Sequence, residues 1–159
     1  MLRTIRIHDQ HWEAAPRARR DDWRTTIVDL LDDGGIGDRH DSLVIHASSE
    51  AVMLTLDGDD GELRFTIEAA RVSPLVAEYL HVIRRMQAEE VAESSAKMQA
   101  LDMAKRVVHD KGARVIAAAA PQLAAAHETY RRLFTLVLSV LVDVTALPGA
   151  AAHRRHVGY

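Results

Sequence analysis

Between Ser42 and Glu68 apolar residues fall at every second position in three consecutive runs. Leu43, Ile45 and Ala47 alternate with Ser42, Val44 and His46. Val52, Leu54 and Leu56 alternate with Met53, Thr55 and Asp57. Leu63, Phe65 and Ile67 alternate with Arg64, Thr66 and Glu68. Successive side chains of a strand point to opposite faces, so a period of two predicts three strands with one apolar face each. The first two runs are joined at Ser48-Ser49-Glu50. The last two are joined by Asp57-Gly58-Asp59-Asp60-Gly61, whose Asp and Gly residues tolerate the positive φ of a tight hairpin. A meander with one apolar face must be covered by something, and the rest of the chain has to supply the cover.

The pattern outside the meander is mainly helical. Residues 2–8 alternate weakly, with Ile5 and Ile7 on one face, and read as a short strand. Pro16 suits the first turn of a helix, and Trp23, Ile27, Leu30 and Leu31 form one stripe that Gly34-Gly35 ends. After the meander, Ser73-Pro74 predicts a helix start, with Leu75, Tyr79, Ile83 and Met86 as its buried stripe. Ser94 or Ser95 predicts a second start, with Leu101, Ala104, Val107 and Val108 together. Lys111-Gly112 predicts a break before an alanine-rich helix, Ala113–Ala120, stopped by Pro121. A last helix from about His127 to Ala146 is apolar on nearly every face after Leu133 and belongs in the middle of the helical layer. The expected order is β-α-β-β-β-α-α-α-α. This is an α+β fold with a small, mostly antiparallel sheet packed against helices, in one domain over residues 1–147 with a flexible tail over 148–159.

Composition narrows the function classes. The 159 residues carry a formal charge of −3, which gives no general case for phosphate-backbone binding. There is no Cys, so disulfides, thiolate catalysis and Cys-ligated metal centres are outside this chain's chemistry, and a reducing, cytoplasmic setting suits it. The N-terminus shows no apolar run of signal-peptide length, and the stretch Leu133–Leu147 is shorter than the roughly 18–20 residues that cross a bilayer. Neither a phosphate-binding glycine loop, a nucleophile elbow nor an HExxH pattern occurs, and no cofactor is implied.

Several polar groupings remain. Asp102, Arg106 and His109 are spaced i, i+4 and i+7, which puts them on one helix face. Such a face can hold an anion through Arg106, with His109 as general acid or base oriented by the Asp102 carboxylate. Arg131 and Arg132 precede the apolar run of the last helix and can join the same site. The alternative is a solvated face with an ion pair and a histidine near a helix end. Arg6, His8, His46, Thr55 and Arg64 share the sheet face opposite the apolar one. That face can take an anionic ligand, serve as a dimer surface with Val44 and Met53, or simply meet water. His8-Asp9-Gln10-His11-Trp12-Glu13 has metal-ligand types at close spacing, but a site needs a further converging ligand, so no metal is expected. A helix-turn-helix at Lys111-Gly112 would present mostly alanines to base edges, which argues against specific DNA recognition.

The stretch Leu101–Gly112 (LDMAKRVVHDKG) resembles the central helical motif of uncharacterised protein family 0262, a bacterial family. Arg131–Val137 (RRLFTLV) resembles its C-terminal motif, and Ile27–Leu31 its first helix. The resemblance covers roughly residues 2–142. The alanine-rich segment and the long tail depart from the family pattern. The resemblance implies the α+β fold and carries no activity or site. The expectation is therefore a non-catalytic, cytoplasmic binding or assembly protein, homo-oligomeric as a dimer. The rival is a small enzyme or ligand-binding protein acting on an anionic metabolite through His109, Asp102, Arg106, Arg131 and Arg132.

Overall fold

The computed structural model describes residues 2–32, 35–36, 39–92 and 95–147. The expected tail, 148–159, lies outside them. Strands β1 (Thr4–Ile7), β2 (Ser42–Ala47), β3 (Ala51–Asp57) and β4 (Leu63–Glu68) form one sheet in the order β1-β2-β3-β4. The meander pairs are antiparallel, with Leu43↔Leu56 and Leu54↔Phe65 in register. β1 adds parallel to β2, with Ile7 opposite Ile45, so the sheet is mixed. A parallel neighbour needs a crossover, and helices α1 (Asp9–Ala14) and α2 (Arg17–Asp32) provide it. Ile5, Ile7, Leu43, Ile45, Leu54, Leu56, Phe65 and Ile67 are all buried, as the period of two predicts. On the opposite face Arg6, Arg64, Thr66 and Glu68 are exposed, while Val44, His46, Met53 and Thr55 are half-buried. Gly61 has φ +99° in the β3–β4 turn, and its Cβ position is open, so the backbone alone demands glycine. Gly61→Ala is expected to cost about 1 kcal/mol in a denaturant titration.

Three long helices cover the apolar face: α3 (Ala69–Ala92), α4 (Ser95–Ala119) and α5 (His127–Leu141). The structure corrects four local expectations. The single N-terminal helix is two, because Pro16 cannot continue α1 and instead lies just before α2. α3 starts at Ala69 rather than at Ser73; Ser73 Oγ donates to the Ala69 carbonyl (2.8 Å), and Pro74 lies inside the helix near its start. α4 runs unbroken through Lys111-Gly112, which also removes the turn of a helix-turn-helix. Gly112 is there for close packing: a Cβ would come within 2.3 Å of the Phe134 ring. Finally, α5 ends at Leu141, and Val144–Ala146 is a separate 3-10 turn capped by Asp143, whose side chain accepts from Thr145 N–H (3.1 Å).

α5 is the centre of the helical layer. All of Leu136–Val140 is buried, and Phe134 is 1% exposed. Its C-terminal carbonyls are satisfied from another element. The Arg19 guanidinium of α2 donates to Ser139 O (3.0 Å) and Val140 O (2.9 Å), placing positive charge at the negative end of the helix dipole. Arg19 also lies over the buried Trp23 ring, 5.0 Å from its centroid. Among the described residues no helix is long and apolar enough to cross a membrane.

Candidate functional site

The buried side of α4 carries Leu101, Lys105, Val108, Gly112, Ala113 and Ile116. These positions follow the i, i+4, i+7, i+11 rhythm of a core-facing stripe. Lys105 is thus a cation set in an apolar row. It is 8% exposed, and its Nζ is buried without a hydrogen-bond partner among the described residues. Burial pushes the Lys105 amine below its usual range, an effect the nearby Asp102 carboxylate partly opposes. Lys105 was not singled out in the sequence reading. The signal was present in its alignment with Leu101 and Val108.

His109 lies one turn further along. Its ring meets Tyr79 of α3 (5.7 Å between centroids) and Phe134 of α5 (5.6 Å), both edge-on. A carbonyl can only accept, so Nδ1–H donates to the Lys105 carbonyl (2.9 Å), and the neutral ring keeps its lone pair on Nε2. Burial, with the positive charges of Lys105 and Arg131, pushes the His109 pKa down to about 4, so it is neutral at pH 7. The Tyr79 hydroxyl is pushed up to about 12 by burial and by Asp22, and it stays protonated. The orienting group of His109 is therefore a backbone carbonyl, and Asp102 acts on Lys105 instead.

The predicted arginines separate. Arg131 is largely covered, with Nε 3.0 Å from Asp110 Oδ1 and Nη1 2.9 Å from Glu128 Oε2. The Nε–Asp110 contact is a charge contact without hydrogen-bond alignment. His127 Nε2 reaches the same Asp110 oxygen at 3.1 Å. Arg132 turns toward α2, 3.5 Å from the Asp29 carbonyl, and Arg106 lies on the exposed side of α4. The structure thus brings Lys105 and Arg131 each into electrostatic range of His109, with Asp102 acting on Lys105 and Asp110 on His109. A buried amine with no hydrogen-bond acceptor at low dielectric favours an anion beside it.

A second grouping forms on the outer sheet face. The parallel register sets His8, just after β1, beside His46 of β2, and α1 adds His11. The ring centroids are 4.3 Å (His8–His46), 5.0 Å (His11–His46) and 6.2 Å (His8–His11) apart. His46, which the alternation placed on the same sheet face as His8, is the third residue that converges on the pair. Even so, among the described residues no group of three ligand-type side chains is arranged to hold a metal ion. The reason is where the lone pairs go. His11 Nε2 accepts from Ala47 N–H (3.0 Å) and His8 Nδ1 from Gln10 N–H (3.3 Å). A further histidine, His40, is 7% exposed with neither ring nitrogen partnered among the described residues, and the surrounding structure gives no reason for it.

A mixed four-stranded sheet under three long helices, with one buried lysine in the apolar stripe of α4, defines an α+β protein with a polar group in its interior. The chain belongs to the Uncharacterised protein family (UPF0262), whose sequence model matches residues 1–142. That span includes α4 and α5, and hence Lys105, His109 and Arg131. No curated protein and no solved structure matches the chain at a significant level.

Proposed function

We propose that this chain is a non-catalytic binding protein of the cytoplasm, and that its ligand is a small anion or anionic metabolite held at Lys105. The carrying observation is the Lys105 amine, fully buried and unpartnered. An orphaned buried donor of this kind costs stability, roughly 1–3 kcal/mol or more if charged. Groups retained at such a cost are found at sites where a ligand completes the hydrogen bonds. A phosphate or carboxylate oxygen would supply the missing acceptor. Arg131 would add long-range attraction, and His109 Nε2 could take up a proton as the anion's charge raises its basicity. A binding role suits a site in which the predicted base is neutral, packed between two rings and oriented by a carbonyl.

Native mass spectrometry on protein purified without added ligand tests this directly. Wild type is expected to carry an extra bound mass that Lys105→Met lacks. The same substitution is expected to stabilise the ligand-free fold by about 1–3 kcal/mol, because Met removes the orphaned amine and keeps the volume. A bare wild-type chain, or an identical bound mass in Lys105→Met, contradicts the reading.

Homodimeric assembly is the second reading. Val44 and Met53 support it, since both lie half-buried on a sheet face whose flanking residues Arg6, Arg64 and Thr66 are exposed. Sedimentation of wild type and of Val44→Lys across a concentration series decides it. Loss of a dimer in the variant supports the outer face as the interface, and a wild-type monomer throughout removes this reading.

A further inference from the structure

We infer that His8, His11 and His46 form a proton-operated latch, which holds α1 against the end of β2 when the rings are neutral and releases it when they are protonated. α1 is six residues long and buries none of them fully. A helix so short has little stability of its own, so its position depends on a few anchors. His8 caps its start through Nδ1. His11 ties it to the sheet by accepting from Ala47 N–H at 3.0 Å. Trp12 lies 5.9 Å from Trp23, with the Arg24 guanidinium 5.0 Å from its ring centroid.

Both histidine anchors are acceptors, and an imidazole accepts only through an unprotonated nitrogen. Protonating His11 puts an N–H where Ala47 already presents one, and the bond is replaced by repulsion. Protonating His8 removes the cap in the same way. The third ring, His46, completes a cluster with separations of 4.3–6.2 Å, too close for several imidazolium charges to gather at little cost.

Among the charged groups around the cluster, Arg19 reinforces this direction. Arg19 acts on His11 from α2, Arg24 of α2 lies over the Trp12 ring instead, and Arg6 is on β1 two residues before His8. Asp9 of α1 is engaged with Arg6 at 3.3 Å, and Glu13 of α1 is exposed. His11 is held below the ordinary histidine value by burial first, then by His46, His8 and Arg19. The closed state therefore binds fewer protons than the open one below about pH 6.5, and acidification drives opening. Opening uncovers Trp12 and one side of Trp23, and frees the Ala47 end of β2.

The test is a pH titration of the full chain followed by two-dimensional amide NMR. As the pH falls from 7.5 to 5, the Ala47 amide and the Trp12 indole are expected to shift together, while α5 amides such as Leu136 stay in place. His11→Gln keeps an acceptor for Ala47 N–H but does not titrate, and it is expected to abolish the coupled shift. His46→Gln is expected to make the transition shallower and move it to lower pH. Ala47 and Trp12 signals that stay fixed until the whole protein unfolds overturn the latch. So does an unchanged transition in His11→Gln.

Discussion

Phe134→Ala is expected to destabilise the protein by about 3–5 kcal/mol, the largest loss of any single substitution considered in this molecule. Phe134 is 1% exposed and sits where α4 and α5 cross, with Gly112 against its ring and His109 at its edge. Removing it opens a cavity that a continuous α4 cannot collapse to fill. The pair makes a sharper statement than the single change. Gly112→Ala should gain about 1 kcal/mol from helix propensity. It should nevertheless be destabilising, because its Cβ would lie 2.3 Å from ring carbons that are themselves fully buried. In a Phe134→Leu background the cost of Gly112→Ala should shrink. Denaturant titrations of the four proteins in this cycle give the coupling directly, and additive effects would contradict the packing described.

Acidification should weaken the fold through His109. With the folded pKa at about 4 and the ordinary value at 6.5, the native state resists a proton that the unfolded chain takes up. The unfolded state then binds more protons between those two values, so stability rises with pH across that window. The contribution is present in full above about pH 6.5 and is shed progressively down to pH 4, by about 3 kcal/mol in total. Urea titrations at several pH values measure the slope. His109→Gln should flatten that part of the profile, and a variant profile parallel to wild type would show that another group controls it. The latch at His11 is separable, since it shows at Ala47 and Trp12 before global unfolding.

What was legible in the sequence follows from which interactions are local. The inward set from Ile5 to Ile67 could be read because burial of one sheet face imposes a period of two whatever the strands pair with. The parallel placement of β1 carries no such local mark, and neither does the meeting of His8 with His46 that depends on it. Gly112 looked like a helix break because glycine is a poor helix former. Its reason for being there is the Phe134 ring, 22 residues later. Ser73-Pro74 matches a helix-start pattern, but the chain is already helical from Ala69. For the candidate site, His109 was readable as a polar group on α4 and Arg131 as a partner. Lys105 was hidden because a lysine amid Asp102 and Arg106 reads as a surface charge unless the apolar stripe is placed on Leu101, Val108 and Ile116 rather than on Val107, which is 42% exposed.

The central claim is that Lys105 waits for an anion. Calorimetric and thermal-shift titration at pH 7 with inorganic phosphate and with citrate tests it, using wild type, Lys105→Met and Arg64→Ala as an outer-face control. Saturable binding and an anion-dependent rise in Tm are expected for wild type and for Arg64→Ala. Lys105→Met is expected to bind at least tenfold more weakly and to melt higher than wild type without ligand. Equal affinity in Lys105→Met, or no saturable binding of either anion to wild type, would contradict the claim.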